Sequence, residues 1–121
     1  MNRHNKELTI KNYFNMWLTQ NFDNLENIFE VDIYYSECYG PEYYGLVEIK
    51  QWIKRMLEIQ KVLEWTIKQF IHEDNIVVVE WYFKDINTGK ENEFAGVSII
   101  EFNDNKIKSI KEFESKLKGG V

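Results

Sequence analysis

The chain has 121 residues, a formal net charge of −5, and is 44% hydrophobic and 16% aromatic. That length fits one domain, which buries roughly two-thirds of its unfolded surface without staples. The acidic balance offers no footprint for phosphate backbones, so nucleic-acid partners are excluded. No apolar run approaches the roughly 20 residues of a membrane helix. The start, MNRHNKELTIKNYF, is polar where a signal peptide is apolar, and one cysteine permits no internal disulfide. A cytoplasmic protein is expected.

The first half reads as helical. In ELTIKNYFNMWLTQ, residues Ile10, Tyr13, Phe14, Trp17 and Leu18 fall at i, i+3, i+4, i+7 and i+8, one stripe of an amphipathic helix. Asp23 precedes NLENIF, where it is placed to cap a short helix with Glu26 three residues later. VDIYYSEC is rich in β-branched and aromatic residues and reads as a strand, broken at Gly40-Pro41. LVEIKQWIKRML restores the helical period through Leu46, Ile49, Trp52, Ile53, Met56 and Leu57.

The second half reads as a β-meander with strands at roughly 62–72, 76–85, 91–102 and 107–114 and turns at EDN, NTGK and NDN. Helices come first and a long antiparallel sheet after them, an α+β layout. Strand parity groups Val77, Val79, Trp81 and Phe83 on one face, and Phe94, Gly96, Ser98, Ile100 and Phe102 on one face of the next strand. Turn lengths bring Trp65, Trp81 and Phe94 together under the helices. The opposite face would hold Val78, Tyr82, Val97 and Ile99, an apolar surface that suggests a second subunit.

Three stretches, YSECYGPEYYGLVEIKQWI, VVVEWYF and EFAGVSIIEFNDNKIKSIKEFES, resemble the SnoaL-like branch of the nuclear transport factor 2-like superfamily. With the leading helix they cover nearly the whole chain, and the resemblance rests on their order and spacing. It implies a single SnoaL-like domain over residues 1–121. The implied fold is a cone-shaped α+β barrel of cystatin-like type, its N-terminal helices packed on a curved antiparallel sheet. It also implies a deep cavity at the open end and a homodimer through the outer sheet face. Members include ketosteroid isomerases, polyketide cyclases, dehydratases, epoxide hydrolases and non-catalytic binding modules, so the fold alone does not give a function.

The isomerase branch pairs a helix tyrosine with an aspartate base and a protonated aspartic acid. Ungapped counting places Tyr13 and Glu37 at the first two positions and Ser98, a weaker hydroxyl, at the third. The acid that often precedes the GVS stretch is replaced by Ala95. The resemblance also puts Ile110 and Glu112 in the cavity. Turn lengths alone put Ser98 and Glu112 on opposite faces, and a bulge near the last hairpin would reconcile the two.

Each candidate carries a structural alternative. Glu37 in a dry pocket is a general base with a raised pKa; at the rim it is a carboxylate bonded to a tyrosine. Tyr13 donates its hydroxyl either to a ligand or within the core. Trp17, Trp65, Trp81 and Phe83 form either a ligand cage or ordinary packing. Tyr35 shares parity with Glu37 and faces the cavity, while Tyr39, Tyr43 and Tyr44 surround its mouth. Glu112 is either a second pocket carboxylate or a solvated strand residue paired with Lys68 or Lys111. Cys38 reads as a small buried filler. His4 and His72 make no metal-binding spacing, and His72 reads as closing a strand end. No cofactor is implied. The leading expectation is a pocket for a small, mostly apolar molecule. Its rivals are a proton-transfer isomerase, cyclase or dehydratase built on Glu37 and Tyr13, and a dimeric interaction module without catalysis.

Overall fold

A computed structural model describes residues 1–115. Helix α1 runs from Arg3 to Thr19. The Asn2 side chain caps it by accepting from the Asn5 N–H at 2.8 Å. It ends where Gln20 turns left-handed at φ 59°. Ile10, Tyr13, Phe14 and Trp17 are buried as the stripe requires. Helix α2, Leu25–Ile28, starts after Asn24, whose side chain makes no capping bond. The expected Asp23 cap is not made: Asn24 holds the cap position, and the Asp23 N–H donates to Asn21 Oδ1 at 3.0 Å.

Strand β1, Phe29–Ser36, folds back through the Gly40-Pro41 turn onto a three-residue strand β2, Glu42–Tyr44, which the sequence reading lacked. The Glu37 N–H closes the turn on the Pro41 carbonyl at 2.9 Å. Helix α3, Leu46–Ile59, follows and buries Ile49, Trp52 and Ile53. The meander then comprises β3 Gln60–Glu73, β4 Ile76–Asn87, β5 Lys90–Asn103 and β6 Lys106–Glu114. In the β4–β5 turn Thr88 and Gly89 both have positive φ, 49° and 82°, the two-residue geometry that matches strand twist.

The six strands form one curved, unclosed sheet in the order β2-β1-β6-β5-β4-β3, with helices packed against it. It is mixed rather than wholly antiparallel, because β1 lies parallel to β6, with Tyr35 opposite Ile110. The long path through α3 and the meander permits that pairing, since parallel neighbours need a crossover. The inward face carries Val77, Val79, Trp81 and Phe83 on β4, and Phe94, Ser98, Ile100 and Phe102 on β5, all buried.

Two local features shape the mouth of the cone. A register shift between Glu101 and Phe102 lets both Ile107 and Ile110 point inward and sets Glu112 opposite Ser98 on the same face. Gly96 lies opposite Trp81. A Cβ there would come within 2.3 Å of the Phe113 carbonyl oxygen and 2.6 Å of the Trp81 ring, so only glycine lets that indole lie against β5.

Candidate functional site

A half-open hollow lies between the helices and the inner sheet face at the end where β4 carries Trp81 and Phe83. About 450 Å³ of empty space lies in it and its mouth, of which about 50 Å³ is open to the centre of a water molecule. A water needs roughly 10–15 Å³ by that measure, so the inner space suits a group of a few heavy atoms. All four tryptophans of the chain, Trp17, Trp52, Trp65 and Trp81, line it. Phe83, Phe94 and Tyr39 extend the aromatic wall, and Val62 and Gln60 enter from the start of β3. Trp65 stacks on Phe14 at 3.8 Å between centroids and meets Trp81 and Phe83 edge-on. Trp52 sits between Trp17 and a stacked Tyr43.

Two carboxyl groups, Glu37 and Glu112, share this aromatic space. Tyr35 donates to Glu112 Oε2 at 2.7 Å, Tyr13 donates to the Tyr35 hydroxyl at 2.7 Å, and Trp17 Nε1 donates to the Tyr13 hydroxyl at 3.0 Å. The chain from Trp17 to Glu112 is therefore saturated at each hydroxyl. Burial pushes the Glu112 carboxyl up to about 8, and the Glu37 charge adds to this, while the Tyr35 bond opposes it. Burial also raises Glu37; the Tyr43 hydroxyl, which donates to Glu37 Oε2 at 2.9 Å, and then Arg55 pull it back down. Burial, reinforced by Glu112, holds the Tyr13 and Tyr35 phenols well above their ordinary range, so both stay neutral donors.

Of the residues singled out from sequence, Trp17, Tyr35, Glu37, Trp65, Trp81, Phe83 and Glu112 meet around the hollow. Tyr13, Ser98 and Ile110 do not reach it, each being fully buried behind the wall. Tyr13 stands one hydrogen bond behind Tyr35. Ser98 Oγ accepts from Trp81 Nε1 at 2.9 Å and fixes that indole. Cys38, expected as a filler, is partly exposed on the wall, its thiol pushed up to about 12 by burial and then by Glu112. Sequence reasoning did not assign Trp52 to the site; its place on the α3 stripe marked it only as core. Trp52 Nε1 and Trp65 Nε1 have no hydrogen-bond partner among the described residues. His72 Nε2 meets Glu7 at 2.8 Å, away from the hollow. No group of three or more His, Cys, Asp or Glu residues is placed to hold a metal among the described residues, and no helix there is long and apolar enough to cross a membrane.

The profile of the SnoaL-like domain family matches residues 10–110. The chain belongs to the SnoaL-like family. No curated protein sequence matches this SnoaL-like chain. Solved structures share its fold at low identity. A protein with a ketosteroid isomerase-like fold from Catenulispora acidiphila, in complex with trimethylamine, aligns with TM-score 0.78 and 18% identity over 88% of this chain and 85% of its own. An LEH-like epoxide hydrolase from M. tuberculosis aligns with TM-score 0.78 and 16% identity over 88% of this chain and 76% of its own. TerC, co-crystallised with polyporic acid, aligns with TM-score 0.75 and 14% identity over 92% of this chain and 91% of its own. At these identities the likeness is one of fold. The SnoaL-like cone is thus present with its own inner chemistry, an aromatic wall and two carboxyls.

Proposed function

We propose that this SnoaL-like domain binds a small, mostly apolar molecule in the hollow. The observation that carries this reading is the convergence of all four tryptophans and two carboxyl groups on one half-open space. Ordinary packing spreads large rings through a core and keeps carboxyls out of it. Neighbours of the same fold hold small molecules, trimethylamine in one and polyporic acid in another. The unpartnered indole N–H groups of Trp52 and Trp65 leave donors for a ligand acceptor once the rings adjust.

Native mass spectrometry of protein purified from its host tests this directly. The expected result is a co-purified small molecule that is lost from a Val62→Phe variant, in which the added ring fills the hollow. A protein that carries nothing, and whose tryptophan fluorescence no small apolar molecule perturbs, would defeat the reading. The same spectrum reports subunit number. A homodimer through the outer sheet face is part of this proposal, because Phe113 is half exposed there and Val78, Tyr82, Val97 and Ile99 are only partly covered.

A second reading, proton-transfer catalysis of the isomerase, cyclase or dehydratase kind, is favoured by the carboxyl pair. Glu112 holds a proton at neutral pH, and Glu37 beside the same space is a base. The donor in such a site would be Glu112 with Tyr35, since the Tyr13 hydroxyl is already engaged behind them. Deuterium exchange α to the carbonyl of a small cyclic ketone, followed by NMR, separates the readings. Catalysis predicts exchange that Glu37→Gln abolishes; a binder gives the solvent rate with both proteins.

A further inference from the structure

Resting on the reading of the hollow as a binding pocket, we propose that its ligand is a small organic cation, an alkylammonium group held by ring faces and by Glu37 and Glu112.

The first argument is charge. Both ionisable carboxyl side chains on the wall are acids, and no lysine, arginine or histidine lines the hollow. Glu114 and Asp85 also act on Tyr39 at the mouth, while the opposing charge felt by Glu37 comes from Arg55 alone. Asp85 is buried and takes Gln60 Nε2 at 2.7 Å and Asn92 Nδ2 at 3.3 Å, so amides rather than cations support it. An anionic ligand would meet two acids opposed by a single arginine outside the wall. A neutral apolar ligand would leave Glu37 and Glu112 with one tyrosine bond each, whereas a cationic one would add a charge partner for both.

The second argument is the kind of surface. Trp52, Trp65, Trp81, Phe83, Phe94 and Tyr39 present indole, phenyl and phenol rings, and the faces of such rings attract cations, indole most strongly. An ammonium bearing methyl groups is apolar on its outside and charged at its centre, so it satisfies both halves of this lining. Its size also fits a space for a few heavy atoms. Burial disfavours the Glu112 carboxylate, and a positive guest beside it would add to the Tyr35 bond in stabilising that form.

Tetramethylammonium and tert-butyl alcohol have the same number of heavy atoms and nearly the same shape, and differ in charge. Tryptophan fluorescence titration with each, at pH 7.5 and low salt, reads occupancy because every tryptophan lines the space. The expected result is tetramethylammonium binding at least about tenfold tighter than the alcohol, a gap of about 1.4 kcal/mol. The E37Q/E112Q protein should narrow that gap to less than about threefold. Gln keeps an acceptor for Tyr35 and Tyr43, and an unchanged circular dichroism spectrum establishes that the variant is folded. If it is not, E37Q alone serves, with half or more of the preference lost. Equal affinity for the two probes, or a preference that survives both substitutions, overturns the cation assignment and leaves the pocket standing. Failure of both probes to bind removes the pocket reading together with it.

Discussion

The two ends of this core are built on the same strands and teach opposite lessons. Toward the β3–β4 turn, the inward strand residues Val77, Ile100 and Ile107, and Ile10 from α1, are buried together with Phe29 and Phe102, a mostly aliphatic set with no charged side chain. Four to six residues along the same strands, the inward residues are Trp81, Phe83, Phe94 and Glu112, and the packing opens into a hollow. Branched aliphatic side chains interdigitate to high density. Flat rings meeting edge to face leave gaps, and the carboxyls among them resist closure because burial costs their charge. One end holds the fold, and the other stores a polar, incompletely filled space. Function is expected where the sequence spends stability rather than gains it.

The largest effect should come from the closed end. Ile100 is fully buried opposite Val77 and Ile110. Ile100→Ala should cost about 2–5 kcal/mol, because the lost methyl groups leave a cavity that two tightly paired neighbouring strands cannot collapse into. Urea unfolding measures it. A cost under about 1 kcal/mol would mean the aliphatic end is no better packed than the mouth.

At the mouth the sign should reverse. Glu112 has its folded-state pKa raised to about 8 from an ordinary 4.5. The folded chain therefore binds more protons than the unfolded chain between those values. Stability is full below the lower pKa and falls as pH rises toward the higher one, levelling off above about 8. Glu112→Gln removes the penalty while keeping an acceptor for Tyr35. It should stabilise the protein on the order of 2–3 kcal/mol at pH 8.5, allowing for partial exposure, and have little effect at pH 4. Thermal melts at the two pH values check this, and equal effects at both would show that Glu112 carries no such strain. Glu37, also raised by burial, leaves a smaller slope of the same sign in the variant.

How much of this was legible beforehand follows from where each feature is encoded. Helices α1 and α3 were readable because their stripes are local, and the three meander turns because NTGK, EDN and NDN mark them. Strand β2 was not, since three residues after a proline carry no period, and its partner β1 is what makes it a strand. The parallel pairing of β1 with β6 joins residues about 75 apart, which local pattern does not specify. For the site, the aromatic residues and Glu37 were legible as types. Glu112 depended on parity, and parity depended on the bulge at Glu101–Phe102, where one extra residue decides which face a carboxylate takes. The place of Tyr13 on the stripe says inward, which left a ligand donor and a core tyrosine equally open. The stripe does not say that Tyr35 stands between it and the hollow.

That intervening position sets the smallest and most specific prediction. In Tyr13→Phe the ring remains, so packing against Phe29 and Trp65 is retained. The Trp17 N–H loses its acceptor and the Tyr35 oxygen loses its donor. The stability cost should be about 1–2 kcal/mol, because two buried hydrogen bonds are lost. The more telling change is at Glu112. A Tyr35 hydroxyl that no longer accepts from Tyr13 is a less polarised donor, so it supports the carboxylate less. The Glu112 pKa should move upward by a fraction of a unit, read from its carboxyl carbon shift in an NMR titration. A residue that merely packs would leave that titration unmoved, whereas an upward shift places Tyr13 in the polar machinery of the mouth although it never touches the hollow.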